Sequence, residues 1–156
     1  MNHNFEIRLR WHNSNPTERE IGGDYSHESI ITSDKHATLV ASAAGGFGGD
    51  VRLWNPEELL MAAIAQCHML SFLYAAHEAG IEILDYVDET SGTMSYQGGS
   101  GAMTSVTLRP VIETNASESD VNRLHDEAKA MCVLRASVNF PVNVEPGTTL
   151  PGANLN

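Results

Sequence analysis

The feature that most constrains this fold is an apolar segment between Asn55 and Gly80, the longest in the chain. It opens with the chemistry of a helix start: Asn55 can cap, Pro56 needs no N–H at the first helical position, and Glu58 stands three residues past the cap. Gly80 can adopt the left-handed conformation that ends a helix. The segment therefore predicts one helix from Pro56 to Ala79, about 36 Å long at 1.5 Å per residue.

The predicted helix is apolar on nearly all of its sides. Between Leu59 and Ala76 the only polar side chains are Gln66, Cys67, His68, Ser71 and Tyr74. A helix of this kind is typically buried in a protein core. The polar residues at its centre and the lack of a second apolar span argue against a transmembrane helix. The sequence therefore predicts a central helix wrapped by sheet, or by sheet and a second subunit.

Length and charge restrict the class of protein. We predict a single domain over residues 1–156, with a core from about 5 to 145 and a loose tail from 146 to 156. A formal net charge of −11 argues against binding to nucleic acid or to anionic membrane surfaces, since both need basic patches. The N-terminus lacks the apolar region of a signal peptide, so we expect a cytoplasmic protein. In that reducing compartment Cys67 and Cys132 are either inert buried thiols or a functional pair.

Alternating apolar residues predict strands on both sides of the central helix. They fall at 5–11, 25–32 and 37–43 before it, and at 81–96, 103–112 and 138–144 after it, with a hairpin turn at 98–101. Pro110 indicates an edge or a bulge. A second, amphipathic helix begins at Ser117 or Ser119 and ends near Cys132. Because two helices interrupt runs of strands, we predict an α+β domain whose mostly antiparallel sheets wrap around two central helices.

Taken alone, the context of the cysteines does not indicate a reactive thiol. Cys67 lies mid-helix in apolar surroundings, far from the helix N-terminus, so a thiolate there needs a cation brought from elsewhere in the fold. Seven histidines are present, but no spacing typical of a zinc site occurs. Cys67 and His68 are adjacent on a helix and do not face the same way. We therefore predict no metal and no cofactor.

Several motifs resemble one protein family. The sequences N-P-E-E-L-L at 55–60 and A-Q-C-H-M-L at 65–70 resemble the central helix of the family of osmotically inducible protein C and the organic hydroperoxide resistance proteins. Later segments resemble its OsmC-like branch, at 89–94, 106–110, 124–125, 128–132 and 137–142. The resemblance covers about residues 5–145. It implies an intertwined homodimer.

The resemblance also implies a thiol peroxidase. In such proteins the cysteine of the central helix reacts with a peroxide, releases an alcohol and becomes a sulfenic acid, which a second cysteine converts to a disulfide. Cys67 then corresponds to the peroxidatic residue and Cys132 to the resolving one, although Val133 stands where the well-known branches usually have proline. The apolar surroundings of Cys67 favour organic hydroperoxides as substrates. An external dithiol, such as a lipoylated protein, is implied as the reductant.

The resemblance assigns two further residues to the site. Glu57 matches the family carboxylate that holds an arginine against the thiolate, and we assign that arginine to Arg52, with Arg19 and Arg135 as alternatives. Glu57 and Cys67 are ten residues apart on one helix, about 15 Å along its axis, which is too far to share a site within one chain. Two antiparallel copies of the helix would bring Glu57 of one chain toward Cys67 of the other. We therefore predict composite sites at a homodimer interface.

Two other interpretations stay open at this point. One is a non-catalytic OsmC-like dimer that binds a small apolar ligand at the subunit interface. The other is a structural or stress-associated dimer with inert thiols. The remaining polar residues have simple structural interpretations, with Glu58 as the partner of the Asn55 cap and both His68 and His125 as core or interface residues. The presence of both cysteines together with Glu57 favours the peroxidase.

Overall fold

The computed structural model describes residues 2–12 and 25–149. Within this part of the chain the strands are β1 (Arg8–Trp11), β2 (Ser29–Ser33), β3 (His36–Ala41), β4 (Ile83–Asp88), β5 (Ser91–Gln97), β6 (Ser100–Leu108), β7 (Pro110–Thr114), β8 (Val142–Val144) and β9 (Gly147–Thr149). The helices are α1 (Pro56–Glu78), α2 (Glu118–Met131) and α3 (Val133–Ala136), with a 3-10 turn at Gly45–Phe47. The predicted α+β class is confirmed.

The chain folds as two compact units, Met1–Leu59 and Leu60–Asn156. The first contains an antiparallel sheet of order β1-β2-β3, whose strands are shorter than predicted. The loop predicted at 13–24 lies outside the described residues, as does the tail beyond 149. A single domain over residues 1–156 stays a prediction.

The alternating face of the first strand is not buried as we predicted. The side chains of Phe5, Ile7, Leu9 and Trp11 are 91, 72, 65 and 51 % exposed. Sequence alternation identifies an apolar face, but it does not identify what covers that face. In the described chain these four residues form an uncovered apolar row beside the edge of the first sheet.

The start and end of α1 agree with the sequence prediction. The Glu58 N–H donates to Asn55 Oδ1 at 2.9 Å, and the Asn55 N–H donates to Glu58 Oε2 at 3.3 Å, which is a reciprocal capping box. At the other end Gly80 has φ +66°, and the Ile81 N–H donates to the Ala76 carbonyl at 2.9 Å. These contacts define a single long helix at the predicted position.

The described chain alone covers only one side of α1, so coverage of the rest by a second subunit, the other predicted alternative, stays a prediction. The buried side chains of α1 form one stripe: Ile64, His68, Phe72, Ala75 and Ala76. Leu70 and Tyr74, on other sides of the helix, are more than half exposed. The apolar surface of α1 thus exceeds what the described chain covers. α1 is the one helix among the described residues that is long and apolar enough to cross a membrane, a test that core helices of soluble proteins also pass.

The second unit contains two three-stranded sheets, of order β4-β7-β9 and β5-β6-β8. Two predicted strands are each broken in two, because β4 and β5, and likewise β6 and β7, belong to different sheets. Asp88, where β4 ends, connects the two points at which the strands change sheets. Its Oδ1 accepts from the N–H of Arg109, between β6 and β7, at 2.8 Å and from Thr90 Oγ1 at 3.1 Å. Pro110 opens the central strand β7, where its missing N–H falls at the break rather than on an edge strand.

The last part of the chain differs most from its prediction. The strand predicted at 138–144 is shortened to β8, which pairs in parallel with β6. β9 forms within the segment predicted as a loose tail and pairs in parallel with β7. The short helix α3 was not predicted. The predicted hairpin is present as β5 and β6, and most ladders of the described chain are antiparallel.

Two apolar clusters of the second unit meet α1 at different points along its length. Toward its C-terminus, Phe72, Ala75 and Ala76 pack with Ile112 of β7 and with Val121, Leu124 and Ala128 of α2. Toward its N-terminus, Ile64 packs with Val106 and Leu108 of β6 and with Val142 of β8. Cys67 lies on the stretch of α1 between these two clusters.

Candidate redox site

The structure brings Cys67 and Cys132 together, although 65 residues separate them in sequence. Both are free thiols, and they lie close enough for the Cys67 thiol to influence the pKa of Cys132. Cys67 is half-buried on α1, whereas Cys132 is only 1 % exposed at the junction of α2 and α3. Burial raises the pKa of the Cys132 thiol, and the neighbouring Cys67 thiol raises it further. Cys132 is therefore a protonated thiol at neutral pH, and Cys67 is the less buried of the two residues.

Cys132 occupies a defined backbone position. Its N–H donates to the Ala128 carbonyl at 2.9 Å and completes the last turn of α2. Its sulfur accepts a hydrogen bond from the Arg135 N–H at 3.4 Å, so it caps the N-terminus of α3. The residue thus ends one helix and begins the next. This geometry fixes the direction in which the thiol points.

A buried histidine pair joins α1 and α2, the helices that carry or adjoin the thiols, and the sequence analysis did not identify it as a pair. His68 Nε2 and His125 Nδ1 are 3.0 Å apart, and both residues are 1 % exposed. The ring of Phe72 packs on His125 with a centroid separation of 4.3 Å. His68 Nδ1 and His125 Nε2 have no hydrogen-bond partner among the described residues. A signal was present: His68 follows Cys67, and His125 precedes Cys132 by seven residues, which is two helical turns.

The histidine pair is neutral at physiological pH. Burial lowers the pKa of His68 to about 4, with smaller effects from the charges of Lys129 and Arg135. Burial also lowers the pKa of His125 to about 4, assisted by His68 and Lys129. In a neutral pair one ring donates and the other accepts, so their shared contact is a single directional hydrogen bond. The cations Lys129 and Arg135 act electrostatically on the residue next to Cys67.

Arg52 and Glu57 lie in the first unit, and the structure forms no ion pair between them. Arg52 instead donates from Nε and Nη2 to the carboxylate of Asp50, at 2.9 and 2.6 Å, and its side chain is 80 % exposed. These hydrogen bonds lower the pKa of Asp50 to about 2. Glu57 Oε2 is buried without a hydrogen-bond partner among the described residues. The roles of Arg52 and Glu57 stay predictions.

The alternative arginines differ in their positions. Arg19 lies outside the described residues. Arg135 belongs to α3 and has its charge within range of His68. As for metals, the described ranges contain no group of three or more His, Cys, Asp or Glu side chains arranged to hold an ion.

The sequence and the fold are similar to those of known proteins. Residues 39–146 match the sequence profile of the family described as OsmC-like protein. This segment is more than half of the chain. The protein belongs to the OsmC-like family, as the motifs on α1 indicated.

Individual relatives agree with this membership over nearly full length. The chain is 24 % identical to YmaD of Bacillus subtilis strain 168, an uncharacterized protein, over 96 % of this chain and 97 % of the relative. The solved OsmC-like protein VCA0330 of Vibrio cholerae, of unknown function, is similar with a TM-score of 0.79 at 23 % identity, over 90 % of this chain and 97 % of that one. The organic hydroperoxide resistance protein OhrB of Bacillus subtilis gives a TM-score of 0.63 at 20 % identity, over 92 % and 96 %. Both structures share the fold.

Proposed function

We propose that this protein is a thiol peroxidase that reduces organic hydroperoxides to alcohols. The observation that carries the proposal is the contact between a half-buried thiol, Cys67, and a fully buried one, Cys132. The family supports it, because structures of the same fold include a protein named for organic hydroperoxide resistance. We place the protein in the cytoplasm, where the pair can be kept reduced.

Each thiol has a role that its position suits. The Cys67 thiolate attacks one peroxide oxygen, the O–O bond breaks, and the alcohol leaves with a proton, which gives Cys67 sulfenic acid. The Cys132 sulfur then displaces the hydroxyl of the sulfenic acid as water and forms the disulfide. An external dithiol, with a lipoylated protein as our candidate, restores both thiols by exchange and becomes a disulfide itself.

The apolar surroundings of Cys67 support an organic substrate. One turn before and after Cys67 on α1, the neighbouring residues include Ala63, Ile64 and Leu70. Leu70 is more than half exposed, so an apolar surface borders the accessible thiol. An alkyl or aryl hydroperoxide can cover this surface, and hydrogen peroxide cannot. We therefore expect discrimination of about tenfold or more between the two, as one or two buried apolar groups provide.

The first test is a thiol count on the reduced protein. One equivalent of cumene hydroperoxide is expected to remove both free thiols of the wild-type chain, one from Cys67 and one from Cys132. Hydrogen peroxide at the same concentration is expected to react more slowly, by a factor of about ten or more. Mass spectrometry of the product should show one intramolecular disulfide. If both thiols persist for minutes in excess hydroperoxide, the peroxidase proposal fails.

We further propose that the active form is a homodimer in which Glu57 of the partner subunit approaches Cys67. Two surfaces support this: the uncovered row of Phe5, Ile7 and Leu9, and the uncovered apolar side of α1. Each is an exposed apolar surface within its own unit, and such surfaces typically mark protein interfaces. The subunit mass is 16.9 kDa, so the dimer should have twice that mass in sedimentation equilibrium.

A variant with a matched control tests the dimer. Leu9→Glu places a charge on the apolar row and is expected to shift the protein to monomer and to reduce hydroperoxide turnover by about tenfold or more. Arg8→Glu changes a neighbouring exposed residue of β1 on the opposite face of the strand and is expected to leave both unchanged. A monomeric protein with full activity would contradict the composite site.

A ligand-binding protein without turnover is the second candidate. The exposed Leu70 and Tyr74 on α1 favour it, because the same apolar surface could hold a small apolar ligand between subunits. The thiol count separates the two functions. Persistent thiols together with saturable binding of an apolar fluorescent probe would favour the binding protein.

A further inference from the structure

We propose that His68 and His125 are positioning residues for the thiol pair. Their hydrogen bond fixes where α2 lies on α1 and thereby holds Cys132 against Cys67. This inference rests on the proposed function, because it gives the two thiols a reason to be held together.

The placement of the four residues carries the argument. His68 is adjacent to Cys67 on α1, and His125 lies on α2 seven residues before Cys132, the residue that ends that helix. The two helices are thus linked at neighbouring residues of α1: His68 and His125 share a hydrogen bond, and Cys67 lies close enough to Cys132 to influence its pKa. A displacement of α2 that lengthened the contact between His68 and His125 would also move Cys132.

The other contacts between these helices do not define one position so sharply. Phe72, Ala75 and Ala76 of α1 pack with aliphatic side chains of α2, and such contacts are non-directional. The histidine contact is directional, because it requires one donor and one acceptor at 3.0 Å. Both rings are buried, so a shifted helix would leave two more polar nitrogens without partners. The histidine pair therefore favours one position of α2 along α1 over the adjacent positions.

If the histidine pair positions the thiols, it should raise the effective concentration of one thiol relative to the other in disulfide formation. This effective concentration is measured by equilibrating the reduced protein with glutathione: one oxidised glutathione takes two electrons from the dithiol, which gives the protein disulfide and two reduced glutathiones. The equilibrium constant measures how well the fold holds the two sulfurs in bonding geometry. No peroxide takes part, so the measurement does not depend on peroxidase turnover.

The variants follow from which nitrogen each ring uses. His68 bonds through Nε2, whose position a glutamine amide can occupy, and His125 bonds through Nδ1, whose position an asparagine amide can occupy. His68→Gln and His125→Asn are therefore expected to keep the effective concentration within about threefold of the wild type. The exchanged amides, His68→Asn and His125→Gln, are expected to lower it about tenfold or more.

An apolar pair separates positioning from stability. In the double variant His68→Leu/His125→Leu both polar partners are removed together, which keeps the core filled and is often close to neutral for folding. We expect its thermal midpoint to stay near that of the wild type while its effective concentration falls about tenfold or more. The amide variants carry the test if the double variant does not fold.

The outcomes distinguish this proposal from the peroxidase proposal. If the exchanged amides and the folded double variant keep the wild-type effective concentration, the positioning role is wrong. A wild-type protein that forms no Cys67–Cys132 disulfide with glutathione would overturn it as well. If hydroperoxide leaves the wild-type thiols intact while the variants still lower the effective concentration, only the peroxidase proposal fails.

Discussion

Cys67→Ser is expected to abolish hydroperoxide reduction, with a loss on the order of 10³-fold or more, because a serine hydroxyl is not ionised at neutral pH and cannot attack the peroxide oxygen. Cys132→Ser is expected to react once and stop. Its Cys67 becomes a sulfenic acid that no second thiol converts to a disulfide. Trapping with dimedone and mass spectrometry of the intact protein check both results.

A comparison of two substitutions at position 132 separates the loss of the thiol from a loss of stability. Serine at position 132 retains an oxygen that can accept from the Arg135 N–H, so α3 keeps its cap, whereas Cys132→Ala removes it. The two variants should therefore stop at the same sulfenic acid but differ in stability by about 1 kcal/mol. If Cys67→Ser still forms a sulfenic acid at Cys132, the two roles are reversed.

The second large effect is a loss of stability in mild acid. The pKa values of His68 and His125 are lowered from 6.5 to about 4 in the folded chain, chiefly by burial. Between these values the unfolded histidines bind protons that the folded ones do not. The free energy of unfolding should therefore fall as the pH is lowered from about 6.5 to about 4, by on the order of a few kcal/mol for the pair as a whole. Urea unfolding at a series of pH values measures it.

The double variant His68→Leu/His125→Leu supplies the comparison, since it should show a much flatter profile in this window. Charges near the pair contribute in a known direction, with Lys129 and Arg135 opposing protonation and Asp126 favouring it at His125. Asp50, whose pKa is lowered from 3.8 to about 2, loses its contribution only at lower pH. Equal slopes for the wild type and the double variant between pH 6.5 and 4 would contradict the assignment.

Local chemistry predicted the elements that depend on local contacts. The Asn55 cap, Pro56 at the first helical position and Gly80 with its positive φ fixed the bounds of α1, because each acts within a few residues. Ser117 caps α2 through the Asp120 N–H, one of the two alternatives that the sequence offered. The family was also recognisable from the motifs on α1.

Features that depend on distant pairing were not predictable in this way. An apolar strand run does not indicate where it leaves one sheet for another, so the corners bridged by Asp88 and Arg109 were missed. The contact of Cys67 with Cys132 was implied by resemblance alone, and spacing could not show it. The bond between His68 and His125 was missed because each residue was interpreted singly, whereas the pair exists only once α2 lies on α1.

The cap formed by Cys132 bears on how this position can change during evolution. At a helix start serine and aspartate are better acceptors than a thiol, and either can be reached without altering the backbone. At this buried position, however, a hydroxyl or a carboxylate would also have to be desolvated, so the cap alone does not decide which residue is most stable. Cysteine at this boundary between α2 and α3 is the residue that the proposed redox function requires, and the cap ties that function to the path of the backbone.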